Sequence, residues 1–347
     1  MKKERIFYLD FIRALSIFLV VIFHFNIRYR LLNPDGASYF IGPSEILGLE
    51  PGHLGVSLFL IVSGASLMYT YQENFHLKDF FRRRFLAIYP MFWLAYAVAA
   101  VFTVLTRGFR REVPLYRFLY TIMGMDGIAH SVVPTFYLLG EWFLGLIILC
   151  YLLFPLPLKG MDRHPVILAC LAVSVYLLFA FWYPFSLPQN YFLPVRIPEF
   201  LFGMYFIRYW KKISLRQAGL ALAGAVIFSL PQTEAPPEME MLKIPLAGVF
   251  CFLILAWIGE QITQPSLRKV FSVGARYSYA VCLVHHVVLT QILTWIPLED
   301  ASYIKFCGVF LLTLLVIAAG SFCLYQINKF LLSYFTSKGA KNSSYNV

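Results

Sequence analysis

Two side chains in the first apolar stretch of the chain have no ordinary reason to be there. The segment YLDFIRALSIFLVVIFHF, residues Tyr8 to Phe25, carries Arg13 and His24 within a run long enough to cross a bilayer. On a helix turning about 100° and rising 1.5 Å per residue, the two lie within about 20° of one face and roughly 16 Å apart along the axis. Ionisable groups in hydrocarbon cost several kcal/mol, so such a stripe faces a protein interior or a watery cavity. A neutral imidazole can take a proton from a hydroxyl, which transfer of an acyl group to an alcohol requires. A guanidinium can hold a phosphate or a carbonyl oxygen. Two plainer readings stand beside these: His24 as a hydrogen bond between helices, and Arg13 as the partner of Asp10, three residues before it.

Further polar groups recur along the chain. The second apolar run, GHLGVSLFLIVSGASLMYTY, carries a small-residue face that includes Ser63 and suits close helix packing or an opened cavity. It is followed by FFRRRFLAIYP, whose Arg82, Arg83 and Arg84 either orient the helix or meet the phosphates of a nucleotide-bearing donor. Glu141, and Arg196 with Glu199 spaced i, i+3, are expected at the depth of His24, where an outward-facing polar pocket would explain them; a mutual ion pair is the simpler account of the last two. His285 and His286 fall near mid-membrane and point about 100° apart, so at most one is expected to face the same cavity.

Positioning these groups requires a membrane scaffold. The 347 residues are 60% hydrophobic and 14% charged, with mean hydropathy +0.70, against about 25% charged in a soluble domain. The composition specifies an all-α polytopic membrane protein. Apolar runs fall at 8–28, 53–72, 86–106, 135–158, 164–184, 192–210, 215–231, 244–262, 276–296 and 303–332, ten in all. Lys and Arg collect in alternate loops, while 185–191 and 297–302 contain none, which puts both termini in the cytoplasm. Residues 1–335 then form one membrane domain, and 336–347 a polar cytoplasmic tail expected to lack regular structure. The basic stretch 107–117, with Arg107, Arg110, Arg111 and Arg117, falls on the predicted outside, as an interfacial segment or an anion-binding rim.

Several functions lose support. The net charge of +11 sits in short interhelical clusters rather than along a nucleic-acid groove. The six cysteines form no C-x-x-C pair, and there is no H-E-x-x-H helix, so no metal site is expected. No G-x-S-x-G elbow or P-loop occurs either. A non-enzymatic glycan or lipid translocator using the same polar cavity remains as an alternative.

Taken together, the motifs resemble the integral-membrane acyltransferase family three, ten-helix O-acyltransferases of bacterial surface glycans. The family's LDxLRxxA and Arg-x10-His opening is met by Leu9-Asp10, Arg13-Ala14 and His24, and its GVxLFFxxSG by Gly55-Val56, Leu58-Phe59 and Ser63-Gly64. RxxRIYPxYW is met by Arg84, Ile88-Tyr89-Pro90 and Trp93, and WxLxxxxxxYLLxP by Trp142, Leu144, Tyr151-Leu152-Leu153 and Pro155. RxPEFLxGM is met by Arg196, Pro198-Glu199-Phe200 and Gly203-Met204, and SYxxYLxH by Ser278-Tyr279, Leu283 and His285. The chain departs from the pattern at Ala87, where the family has a second arginine, and at Ile147, where many members have a glutamate; Ser57 and Ala65 also differ. The resemblance implies transfer of an acyl group, most often acetyl, from cytosolic acetyl-CoA to a hydroxyl of an extracytoplasmic or lipid-linked glycan. Succinyl is an alternative donor group. It implies a multi-pass protein of the cytoplasmic membrane with no permanently bound cofactor. His24 would be general base and Arg13 a second catalytic residue; Arg82, Arg83, Arg84 and Ser63 would meet the donor; Arg196, Glu199, Glu141 and His285 would meet the acceptor.

Overall fold

The computed structural model describes residues 4–34, 36, 38–108, 112–139, 142–229, 237–299 and 301–343, and all its regular elements are helices. The helices are α1 (Phe7–Leu32), α2 (Pro51–Tyr71), α3 (Leu77–Arg107), the short α4 (Phe118–Met123) and α5 (Asp126–Ala129), α6 (Trp142–Leu153), α7 (Pro155–Arg163), α8 (Pro165–Phe181), α9 (Leu193–Tyr209), α10 (Leu215–Ser229), α11 (Pro237–Gln261), α12 (Pro265–Trp295) and α13 (Tyr303–Ser343). Each of the ten predicted apolar runs overlaps a helix, the fourth overlapping two, α6 and α7. Six helices are long and apolar enough to cross a membrane by themselves, and α6 with α7, bent by 46°, makes a seventh candidate.

Prolines mark several helix starts, where the missing N–H costs nothing: Pro51, Pro155, Pro165 and Pro265 all stand in a first turn. Pro90, Pro198 and Pro245 lie inside helices, as membrane spans tolerate. The fourth predicted run, 135–158, needs correction. Residues 132–139 are not helical, and α6 begins only at Trp142. At the other end Pro155 removes a backbone donor and the helix bends there. The tail also differs, because α13 continues to Ser343. Extending an existing helix fixes one residue per added hydrogen bond, which is far easier than starting one. Glu141 lies outside the described residues, as do Arg110 and Arg111 of the basic stretch and Lys2 and Lys3 at the N-terminus.

The outer faces of the helices are apolar. Leu311, Leu315, Phe322 and Phe330 on α13, and Val166, Ile167 and Leu171 on α8, are exposed. A soluble protein rarely exposes such continuous apolar surface; a bilayer makes it favourable. Between helices the rule reverses and small residues take over. On α10, Ala218, Ala221 and Ala225 are buried while Leu220 and Ile227 face outward. The closest crossing joins α2 to α9. A methyl group on Gly64 would strike the Phe200 carbonyl, and one on Gly203 would strike the Ile61 carbonyl. Two backbones therefore meet where only hydrogen fits. Around this pair α1 packs on α2, α11 and α12, and α12 packs on α13. The first helix is walled on three sides.

The segment between α3 and α6 folds against the bundle. Tyr96 donates to the Phe136 carbonyl (2.6 Å), Trp93 Nε1 to that of Ile122 (3.1 Å), and Arg117 to that of Pro134 (2.9 Å). Within it Asp126 is 1% exposed, with its carboxyl near the Thr121 and Thr135 hydroxyls. Burial pushes its pKa up, and the nearby Thr121 and Thr135 hydroxyls pull it only partly back.

Candidate active site

Both charged members of the α1 stripe face the interior, and each has a distinct environment. Asp10 pairs with Arg5 (3.2 Å). Arg13 donates instead to Ser66 Oγ on α2 (3.1 Å). Its guanidinium lines two spaces, a cleft of about 570 Å³ shared with Arg5, Arg83 and His76, and a cavity of about 260 Å³ shared with Ser63, Arg84, Tyr151, Arg276 and Tyr279. Arg84 lies over the rings of Tyr71 (6.0 Å) and Tyr151 (5.7 Å), which fix its orientation by cation–π attraction. Three guanidinium groups thus converge on one small cavity, a setting that favours an anion or a polarised carbonyl.

His24 lines a second cavity of about 210 Å³, with Phe23, His53, Trp142, Asn190 and Tyr191 among its walls. Its hydrogen bonds indicate which ring nitrogen donates. The His285 Nδ1 faces the carbonyls of Cys282 (2.9 Å) and Val281 (3.0 Å), which can only accept, so that nitrogen carries the proton. In the neutral ring His285 Nε2 then holds a lone pair. It lies 3.3 Å from His24 Nδ1, which also faces the Val20 carbonyl at 2.9 Å. Both neighbours accept, so His24 Nδ1 must donate. In the neutral ring the lone pair then sits on His24 Nε2, the form a general base needs.

The two cavities share three wall residues, Phe59, Phe143 and Cys282. The arginine cavity and the histidine cavity are therefore neighbours across a narrow apolar partition. Two of the four departures from the family pattern also fall here. Ala87 and Ile147, standing where the pattern has arginine and glutamate, both border the arginine cavity.

The residues singled out from sequence separate on inspection. Arg13, Ser63 and Arg84 meet at the arginine cavity, and Arg83 lies at the neighbouring cleft; Arg82 is exposed and borders none of these spaces. Arg196 and Glu199 form the simpler arrangement, an ion pair of 2.9 Å with both side chains almost fully buried. They do not line the histidine cavity. Their remaining polar atoms find no hydrogen bond among the described residues. His285 is fully buried behind His24, at 5.2 Å between ring centroids, and His286 packs on His24 at 4.3 Å. Neither lines the histidine cavity; both pack on the ring that does.

Two cavity residues escaped the sequence reading. His53 stands on the first turn of α2, and Arg276 was counted only among the orienting charges. A signal for Arg276 existed: Ala275, Ser278, Tyr279 and Cys282 repeat at helical spacing and all border the arginine cavity. One ring nitrogen each from His24, His285 and His286 lie within 4.8 Å of one another, a donor set that can hold a divalent ion. It contains no carboxylate, and the carbonyl contacts above already use a proton on two of its rings.

Comparison with known proteins agrees with this chemistry. A protein of Acidianus two-tailed virus named "Putative acetyltransferase ORF330" is 28% identical over 272 residues, covering 74% of this chain and 80% of its own. No solved structure matches. A family model described as an acyltransferase domain matches residues 6–335, a stretch that contains every helix bordering the two cavities. The chain is thus a multi-pass membrane acyltransferase and belongs to the acyltransferase 3 family.

Proposed function

We propose that the protein moves an acetyl group from cytosolic acetyl-CoA to a hydroxyl of an extracytoplasmic or lipid-linked glycan, with His24 as general base. In this reading the chain crosses the cytoplasmic membrane ten times, α6 and α7 together forming one span, with both termini in the cytoplasm. The basic clusters support that orientation. The cleft bordered by Arg5 and Arg83 then opens to the cytosol and receives the phosphates of CoA. Arg13, Arg84 and Arg276 hold the polar arm of the donor in the adjoining cavity. The acceptor enters the histidine cavity from the other side, against Trp142, Asn190 and Tyr191.

The reaction needs few participants. His24 Nε2 takes the acceptor proton as the hydroxyl oxygen attacks the thioester carbonyl. The tetrahedral adduct collapses and expels the CoA thiolate, which recovers the proton from the imidazolium. His285 holds the ring through Nδ1 and is a positioning residue. Such proton transfer is worth about 10²- to 10⁴-fold in rate. Arg196 and Glu199, set deep beside His53, act here as a buried brace for the acceptor side rather than as groups that touch the sugar.

The observation that carries this reading is the placing of His24 at the wall of a cavity adjoining the three arginines, with its Nδ1 held between the Val20 carbonyl and His285 Nε2. The test is purified protein given acetyl-CoA and glycan fractions from the native membrane. Free CoA should appear only when an acceptor is present, and mass spectrometry should show acetyl on the glycan. Glycan reaching the far side of a vesicle without acylation would favour translocation instead.

A further inference from the structure

We propose that the partition formed by Phe59, Phe143 and Cys282 selects the acyl group, admitting acetyl and refusing longer or carboxylated chains. The inference rests on the transfer reading above. These three residues border both cavities, so a thioester held on the arginine side must bring its carbonyl past them to a hydroxyl activated by His24. The rings of Phe59 and Phe143 face one another at 5.6 Å between centroids and 39° between planes. Phe59 and Cys282 are each 9% exposed and pack with Ile17 and Val20 in a small apolar cluster to which Phe143 adds its ring. Every side chain in that cluster is uncharged.

Size and charge act together at such a neck. An acetyl group presents one methyl beyond the carbonyl. Each further methylene must displace an aromatic ring that is already in contact, and one methylene in an apolar pocket changes discrimination by about 10- to 200-fold. A succinyl group adds a carboxylate as well. That charge would have to leave Arg13, Arg84 and Arg276, which border the arginine cavity, and enter an apolar cluster with no cation. Burying an unpaired carboxylate is far costlier than burying a methylene. The arginines that attract the donor would therefore hold an anionic acyl group short of the neck. No carboxylate stands among the residues lining the arginine cavity to oppose that cation excess.

The experiment compares kcat/KM for acetyl-, propionyl-, butyryl- and succinyl-CoA in the wild type and in Phe143→Ala and Phe59→Ala. The wild type should prefer acetyl to butyryl by at least about 10-fold. Either alanine variant should cut that preference by a similar factor, mainly by raising butyryl transfer, while succinyl stays poor because no cation has been added. Phe143→Leu provides a milder opening should an alanine variant fail to fold, and Phe143→Trp should narrow the neck and penalise propionyl more than acetyl. An unchanged acetyl-to-butyryl ratio in folded variants, or a wild type that moves butyryl as readily as acetyl, would overturn the neck while leaving transfer intact. Failure of the wild type with all four donors would overturn the transfer reading itself.

Discussion

Replacing His285 by leucine separates two roles that the histidine pair could share. The change removes the lone pair that His24 Nδ1 meets at 3.3 Å but leaves the Val20 carbonyl at 2.9 Å to hold the same proton. A net hydrogen bond contributes about 0.5–1.5 kcal/mol, which corresponds to roughly a two- to twelve-fold change in rate. Because one acceptor survives, the loss in kcat should stay within that range, and KM for acetyl-CoA should not move, since His285 does not border the arginine cavity. Leucine is close in volume and brings no buried polar group, and the carbonyls of Val281 and Cys282 keep their helical partners. The assay is steady-state release of CoA thiol with a thiol-reactive chromophore, in detergent, with thermal unfolding as a control for folding. A loss as large as that expected for removing His24, about 100-fold or more, would mean that the proton transfer belongs to His285 and that the tautomer argument is wrong. A rise in donor KM without change in kcat would equally refute it.

Three other predictions follow from the same geometry. Arg84→Gln and Arg276→Gln should each raise KM for acetyl-CoA about 10-fold or more, because each removes a charged hydrogen-bond donor from the arginine cavity, whereas Arg82→Gln should leave it unchanged. Titration of initial rates against donor concentration distinguishes them. Gly203→Ala should destabilise the fold by about 1–3 kcal/mol, since its methyl would strike the Ile61 carbonyl; thermal unfolding in detergent should show a lower midpoint. Asp126 holds its proton more tightly folded than unfolded, so its contribution is complete below the ordinary carboxylate range and fades as pH rises toward the raised value. Asp126→Asn should therefore raise the unfolding midpoint at neutral pH and remove part of the stabilisation that the wild type gains on acidification.

Periodicity and hydropathy made most of the scaffold legible. Apolar length locates helices well because the bilayer imposes one thickness on all of them. It fails where a segment is apolar without spanning, as at 132–139, and where a proline divides a run, as at Pro155. The α1 stripe was legible for a related reason. Helical geometry fixes the spacing of Arg13 and His24 without any knowledge of other helices. Groups defined by contacts between helices were not legible. Nothing in the adjacency of His285 and His286 says that both back His24, and the i, i+3 spacing of Arg196 and Glu199 suits a pocket as well as a closed ion pair. Arg276 was obscured because a cation at the edge of an apolar run serves orientation equally well, although α12 starts eleven residues before it. Identity at such a site can be read from sequence; the direction a side chain faces depends on the crossing of two helices.

The central claim is that His24 carries the proton. The most direct measurement is acceptor-dependent CoA release by His24→Ala, set beside equilibrium binding of acetyl-CoA to the same preparation. The account predicts a fall in kcat of about 100-fold or more with donor affinity retained, because His24 does not border the arginine cavity and Arg13 lies roughly 16 Å from it along α1. Full activity in a folded His24→Ala protein would contradict it.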